Sequence, residues 1–175
     1  LGPVLVGLMK RQVLRAIAMN GAAAIHDFEI ALVGKTSEDV TESIDRGEFG
    51  FAEETGRLMN EAIVEGADEG RGMGEALGKL LARLAPPRVD LSILATAHQL
   101  QVPVTVHVAV GTDVIHQHPR ARGSAIGETS FIDFRLLVGI EFVIIVIVGG
   151  LGTITGSILG AIILFALPQL FAGLT

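Results

Sequence analysis

The sequence contains no cysteine, no tryptophan and no tyrosine. The first absence removes disulfides, thiolate metal sites and cysteine nucleophiles together. The other two remove the aromatic anchors that membrane proteins commonly place at the bilayer interface. Positive charge is also scarce: 13 Lys and Arg face 19 Asp and Glu, for a net charge of −6, so no broad basic surface for nucleic acid is expected. G-x-S-x-G, Walker A and H-E-x-x-H are missing, and with them the best support for a serine hydrolase, a P-loop ATPase or a zincin. No repeat of solenoid length recurs.

What is there divides unevenly. Half of the 175 residues are hydrophobic, but all 13 basic residues lie between Lys10 and Arg135, and Glu141 is the only charge beyond Arg135. Residues 1–137 therefore have the charge density of a soluble domain, and residues 138–175 form a hydrophobic segment. No basic n-region with a cleavage site opens the chain, so the expected location is cytoplasmic, with membrane contact through residues 142–171. The runs Phe142–Val148 and Ile158–Leu167 are separated by glycines, and each is shorter than the ~20 residues of a spanning helix. One bent helix over both would suffice. The other reading of this segment is a central strand at Val143–Val148 and a helix, both packed on the domain.

Within the first part, Val13–Met19 reads as a buried strand stopped by Asn20-Gly21. A helix over Ala22–Val33 follows, with Gly34 as its stop. A short helix is predicted from Thr36 to Gly47, then amphipathic helices over Phe51–Ala67 and Met73–Leu84, the latter ended by Pro86-Pro87. Asp90 is the predicted cap of a helix running to Leu100, and Val104–Val110 is a second, β-branched strand. Two apolar strands separated by helices predict an α/β fold in which the strands are parallel and central.

Both strands end in glycine-containing loops, and in open parallel sheets ligands sit at the carboxyl ends of strands. The first loop, Asn20-Gly21-Ala22, is followed by His26 and Asp27. Small residues there let the backbone approach a phosphate at a helix N-terminus, or serve close strand–helix packing. The second loop, Gly111-Thr112-Asp113, leads to His116 and His118. If residues 116 to 118 are extended, their imidazoles point to one side, as metal ligands would, and a bend at Gly111 would bring in His107. Acid–base chemistry is the nearer alternative, because imidazole titrates around neutral pH. His26, Asp27, Asp113 and His116 are the catalytic candidates. The acidic stretch of Glu38, Asp39, Glu42, Asp45, Glu48, Glu53 and Glu54 reads as a solvated helix face, or as an attractor for cations.

Two strings are specific enough to carry a resemblance. Ala16-Ile-Ala-Met-Asn-Gly-Ala-Ala-Ala-Ile-His-Asp-Phe-Glu-Ile-Ala-Leu-Val-Gly-Lys-Thr-Ser-Glu-Asp39 and Val102-Pro-Val-Thr-Val-His-Val-Ala-Val-Gly-Thr-Asp-Val-Ile-His-Gln-His-Pro119 resemble deoxyhypusine synthases, in particular their bacterial deoxyhypusine-synthase-like branch. The likeness covers nearly all of residues 1–137, which look like the middle of a longer chain. It implies a Rossmann-like parallel sheet with flanking helices, an NAD cofactor, a polyamine substrate such as spermidine and an NAD-dependent aminobutyl transfer. It further implies cofactor contacts from Asn20, Gly21, Ala22, Asp27, Gly111, Thr112 and Asp113, and allows a homo-oligomer. The family's catalytic lysine segment has no counterpart here, since Lys35 and Lys79 stand in other contexts, so an incomplete enzyme is expected. The tail, through Gly149-Gly-Leu-Gly-Thr153 and onward to Phe171, resembles the end of branched-chain amino-acid ABC transporter permeases. This implies, as the alternative, a membrane-attached permease fragment.

Overall fold

The structure, a computed structural model, describes residues 1–36, 52–149 and 154–172. It separates into two units, Leu1–Phe134 and Arg135–Thr175. The predicted helix from Thr36 to Gly47, and most of the acidic stretch, lie outside the described residues.

The first unit opens with a helix that hydropathy did not single out, α1 (Gly2–Lys10), which starts on a proline in its first turn, where the missing N–H costs nothing. Strand β1 (Ile17–Asn20) follows, and α2 (Gly21–Val33) begins directly after it. The Asn20 side chain caps α2 by accepting from the Ala23 N–H at 2.8 Å, and Gly34 closes it at φ 79°. Then come α3 (Glu53–Asp68), α4 (Met73–Leu84), a 3-10 turn at Val89–Leu91, α5 (Ile93–Leu100), β2 (Val104–His107) and a 3-10 turn at Val114–Gln117. α6 (Gly123–Gly149) crosses from the first unit into the second, and α7 (Ile154–Ala172) lies within the second.

β1 and β2 are parallel, with Ile17 opposite Val104 and Asn20 opposite His107. The α/β class with parallel strands is thus present, in a chain that is mostly helical. The Rossmann-like sheet is not: among the described residues the sheet has two strands. Side chains explain why β2 accepts no further neighbour. On its outer edge Asp133 of α6 accepts from the Val106 N–H at 2.7 Å, while Ser130 accepts from the Val108 N–H at 3.3 Å and donates to the Val106 carbonyl at 3.2 Å. A helix meets the hydrogen bonds that another strand would make.

Both strands are shorter than the apolar runs suggest. Val13 is exposed, and the chain after His107 turns away through Ala109 and Thr112. The core gathers Met9, Phe28, Met59, Ile63, Met73, Leu77, Leu81, Leu94 and Val106. α4 approaches its neighbours through glycine. A Cβ on Gly74 would stand 2.1 Å from the Val104 carbonyl oxygen, and one on Gly78 would stand 2.6 Å from that of Leu94.

In the second unit, residues 143–148, read as a strand by one sequence argument, continue α6 instead. A β-branched run has modest strand preference, and here no proline or glycine interrupts the helix between Ile140 and Val148. Among the described residues no helix is long and apolar enough to cross a membrane.

Candidate functional site

Parallel pairing brings the two glycine loops together at the carboxyl ends of the strands. Gly21, first residue of α2, packs directly on Asp113: a Cβ at Gly21 would lie 2.0 Å from Asp113 Oδ2. Asp113 is buried, and His116, one 3-10 turn later, faces it, with Nε2 3.8 Å from Oδ2. The Gly111 N–H donates to His116 Nδ1 at 3.4 Å, which assigns the ring proton to Nε2. Asp113 Oδ2 and His116 Nε2 are both buried, and among the described residues neither has a hydrogen-bond partner. An acceptor and a donor therefore stand side by side without protein partners, and such buried groups are costly unless something satisfies them. Burial raises the Asp113 carboxyl above its ordinary range, against the opposing pull of His116 and the backbone at Ala109.

The other expected site residues separate. Asp27 does not face the strand ends. Its carboxylate accepts from Ser92 Oγ at 2.6 Å and from the Ile93 and Leu94 N–H groups at 2.8 and 3.0 Å, capping α5 from across the fold. Burial raises its carboxyl, and those bonds oppose the rise. Ser92, not Asp90, is the N-cap of α5. Asp27→Ala is expected to cost about 2–3 kcal/mol by removing three hydrogen bonds to one buried acceptor, read as a lowered urea midpoint without loss of ligand binding at the strand ends. The Thr112 hydroxyl donates to the Ala109 carbonyl at 2.7 Å within its own turn, and Gly111 supplies the turn at φ 90°. Ala22 is exposed and His26 is half-buried on α2.

The extended geometry that would aim His116 and His118 to one side is not present. Residues 114–117 form a 3-10 turn, not an extended segment, so His116 and His118 acquire different neighbours. His118 Nδ1 accepts from the Arg120 N–H at 3.1 Å, and its ring lies on Gly56, where a Cβ would be 2.9 Å from Cδ2. His107 Nε2 is 2.9 Å from Thr105 Oγ1. Among the described residues no group of three His, Cys, Asp or Glu side chains is placed to hold a metal ion.

On the other side of the 3-10 turn lies a cleft of ≈ 500 Å³, whose lining includes Glu29, Glu53, Thr55, Ile115, His118 and Arg120. Glu29 is only 2% exposed and accepts from Thr55 Oγ1 at 3.4 Å. Sequence reasoning missed Glu29 and Thr55, because a single glutamate within a helical run carries no motif. It also missed Asp133, whose only signal is an acid at a core-facing position of an apolar helix.

Compared with known proteins, the chain matches no family model, no curated protein and no solved structure.

Proposed function

We propose that the first unit is a deoxyhypusine-synthase-like domain that binds the ribose and nicotinamide end of NAD at the carboxyl ends of β1 and β2. The carrying observation is the unsatisfied pair of Asp113 Oδ2 and His116 Nε2, set against the first residue of α2. One accepts and the other donates, as a sugar hydroxyl requires. The pyrophosphate fits less well at the usual place, because the Asp113 carboxylate already occupies the α2 N-terminus and would repel a second anion. When bound, NAD would supply a hydride acceptor. This chain's own groups would hold the hydroxyl between Asp113 and His116 and place an imidazole where a proton could move. In the cleft lined by Glu29 and Glu53, which Arg120 also lines, the two carboxylates could take an ammonium group of a polyamine.

Calorimetric titration with NAD tests this reading. Wild-type protein is expected to bind. Asp113→Asn, which loses the acceptor charge, and Gly21→Ala, whose new methyl displaces the Asp113 carboxylate, are each expected to weaken binding about tenfold or more while remaining folded by circular dichroism. Absence of an NAD-dependent thermal shift in the wild type, together with no reduced nicotinamide on adding spermidine, would remove the proposal.

A further inference from the structure

The first turns of α6 have two distinct faces. Ala125, Ile126, Thr129 and Asp133 are buried, whereas Glu128, Phe131, Phe134 and Arg135 are exposed. Phe131 and Phe134 remain 59% and 49% exposed, and their rings stack on each other with centroids 6.0 Å apart. Two large aromatic side chains thus stack on each other while keeping about half of their surface open to solvent. Glu128 and Arg135 are seven residues apart, two turns of one continuous helix, so they flank Phe131 on the same stripe. Neither has an ion partner among the described residues, although the neighbouring surface charges Arg57, Arg71, Lys79, Arg83, Arg120 and Arg122 are all paired. Gly127, also on the outward face, has open space where a Cβ would stand.

An acid and a base at opposite ends of an aromatic stripe make the stripe complementary to itself when reversed. We propose that this face of α6 pairs with a second copy of the chain, antiparallel about a two-fold axis passing close to Phe131. Glu128 of each copy then meets Arg135 of the partner subunit, and the four phenylalanines close over the axis. Gly127 permits close approach of the two helices. The patch is small, so the dimer is weak, with a dissociation constant on the order of 1–100 µM. This inference is independent of the NAD reading.

Sedimentation equilibrium of the full chain across that concentration range tests it. A monomer–dimer equilibrium is expected. Phe131→Glu, Glu128→Arg and Arg135→Glu are each expected to raise the dissociation constant about tenfold or more. Because all three positions are exposed, the variants should keep the wild-type melting curve. The double reversal Glu128→Arg with Arg135→Glu restores both cross-axis pairs and is expected to recover dimerisation. A strictly monomeric chain, association unchanged in the single variants, or a double reversal no better than the singles would each overturn the proposal. So would a chain that stays monomeric but co-sediments with phosphatidylcholine vesicles through Phe131, which would assign the face to lipid.

Discussion

Asp133→Ala is expected to cost about 3–5 kcal/mol and to lower the thermal midpoint by about 10 °C or more. Asp133 is 1% exposed and its Oδ2 accepts from two backbone groups, Gly74 N–H at 2.9 Å and Val106 N–H at 2.7 Å. One carboxylate therefore joins the first turn of α4, the outer edge of β2 and the helix that carries it. Alanine leaves both donors buried without a partner. Asp133→Asn is expected to cost far less, since an amide oxygen can still accept from both.

The asparagine variant also isolates a pH effect. Burial pushes the Asp133 carboxyl up to about 6 from 3.8, against the backbone hydrogen bonds that favour its charged form. A carboxyl whose pKa is higher when folded binds its proton more tightly in the native state. The proton-linked part of its contribution is complete below about pH 4 and is lost as pH rises through about 6, an effect of at most about 3 kcal/mol, while the hydrogen bonds from Gly74 and Val106 are kept by the ionised form. Asp27 and Asp113 are raised in the same direction, whereas the half-buried Glu65 and the exposed Glu69 are lowered by Lys79, Arg71 and Arg83 and act oppositely. Urea denaturation of the wild type and Asp133→Asn at pH 4.0 to 7.5, in about half-unit steps, is expected to show a shallower decline in the variant. Parallel curves would show that Asp133 does not hold the raised pKa.

Gly74→Ala is the second large effect, and its cause is steric. The added Cβ would stand 2.1 Å from the Val104 carbonyl oxygen and 2.7 Å from its carbon. Backbone cannot rotate aside as a side chain can, so α4 or β2 must move and the Asp133 hydrogen bonds move with them. A loss of about 3 kcal/mol or more is expected, seen as a low urea midpoint or as failure to accumulate soluble protein. Gly7→Ala serves as the contrast. Gly7 lies within α1, with nothing within 4 Å of the place an alanine methyl would take, and alanine there should stabilise by about 0.5–1 kcal/mol. Equal effects at the two positions would contradict the packing described for α4.

Local pattern carried much of this fold into view. Helical spacing placed α2, α3 and α4 within a few residues of their observed limits, because each buries a periodic apolar face under neighbours that do not disturb it. The parallel relation of the strands was readable from two apolar runs separated by helices. Their lengths were not, because β2 ends where the chain turns through Ala109 and Thr112, and its outer edge is closed by Ser130 and Asp133, which no neighbouring residue announces. The site was legible in part. Both loops were identifiable, and parallel register brought Gly21 against Asp113. The failure at Asp27 has the same origin as the failure at Asp90. A helix cap supplied from a distant helix leaves no mark in the local sequence of α5, whereas Ser92 carries a local capping signal of its own.

The most direct measurement is NMR of His116 in uniformly labelled protein titrated with NAD, compared with the same titration of Asp113→Asn. If the Asp113–His116 pair holds the cofactor's sugar, the His116 Nε2 and Cε1 resonances shift with saturation in the wild type, and the shift is lost or weakened about tenfold in the variant. Saturable NAD binding that leaves His116 unmoved, or that is indifferent to Asp113→Asn, would contradict the assignment.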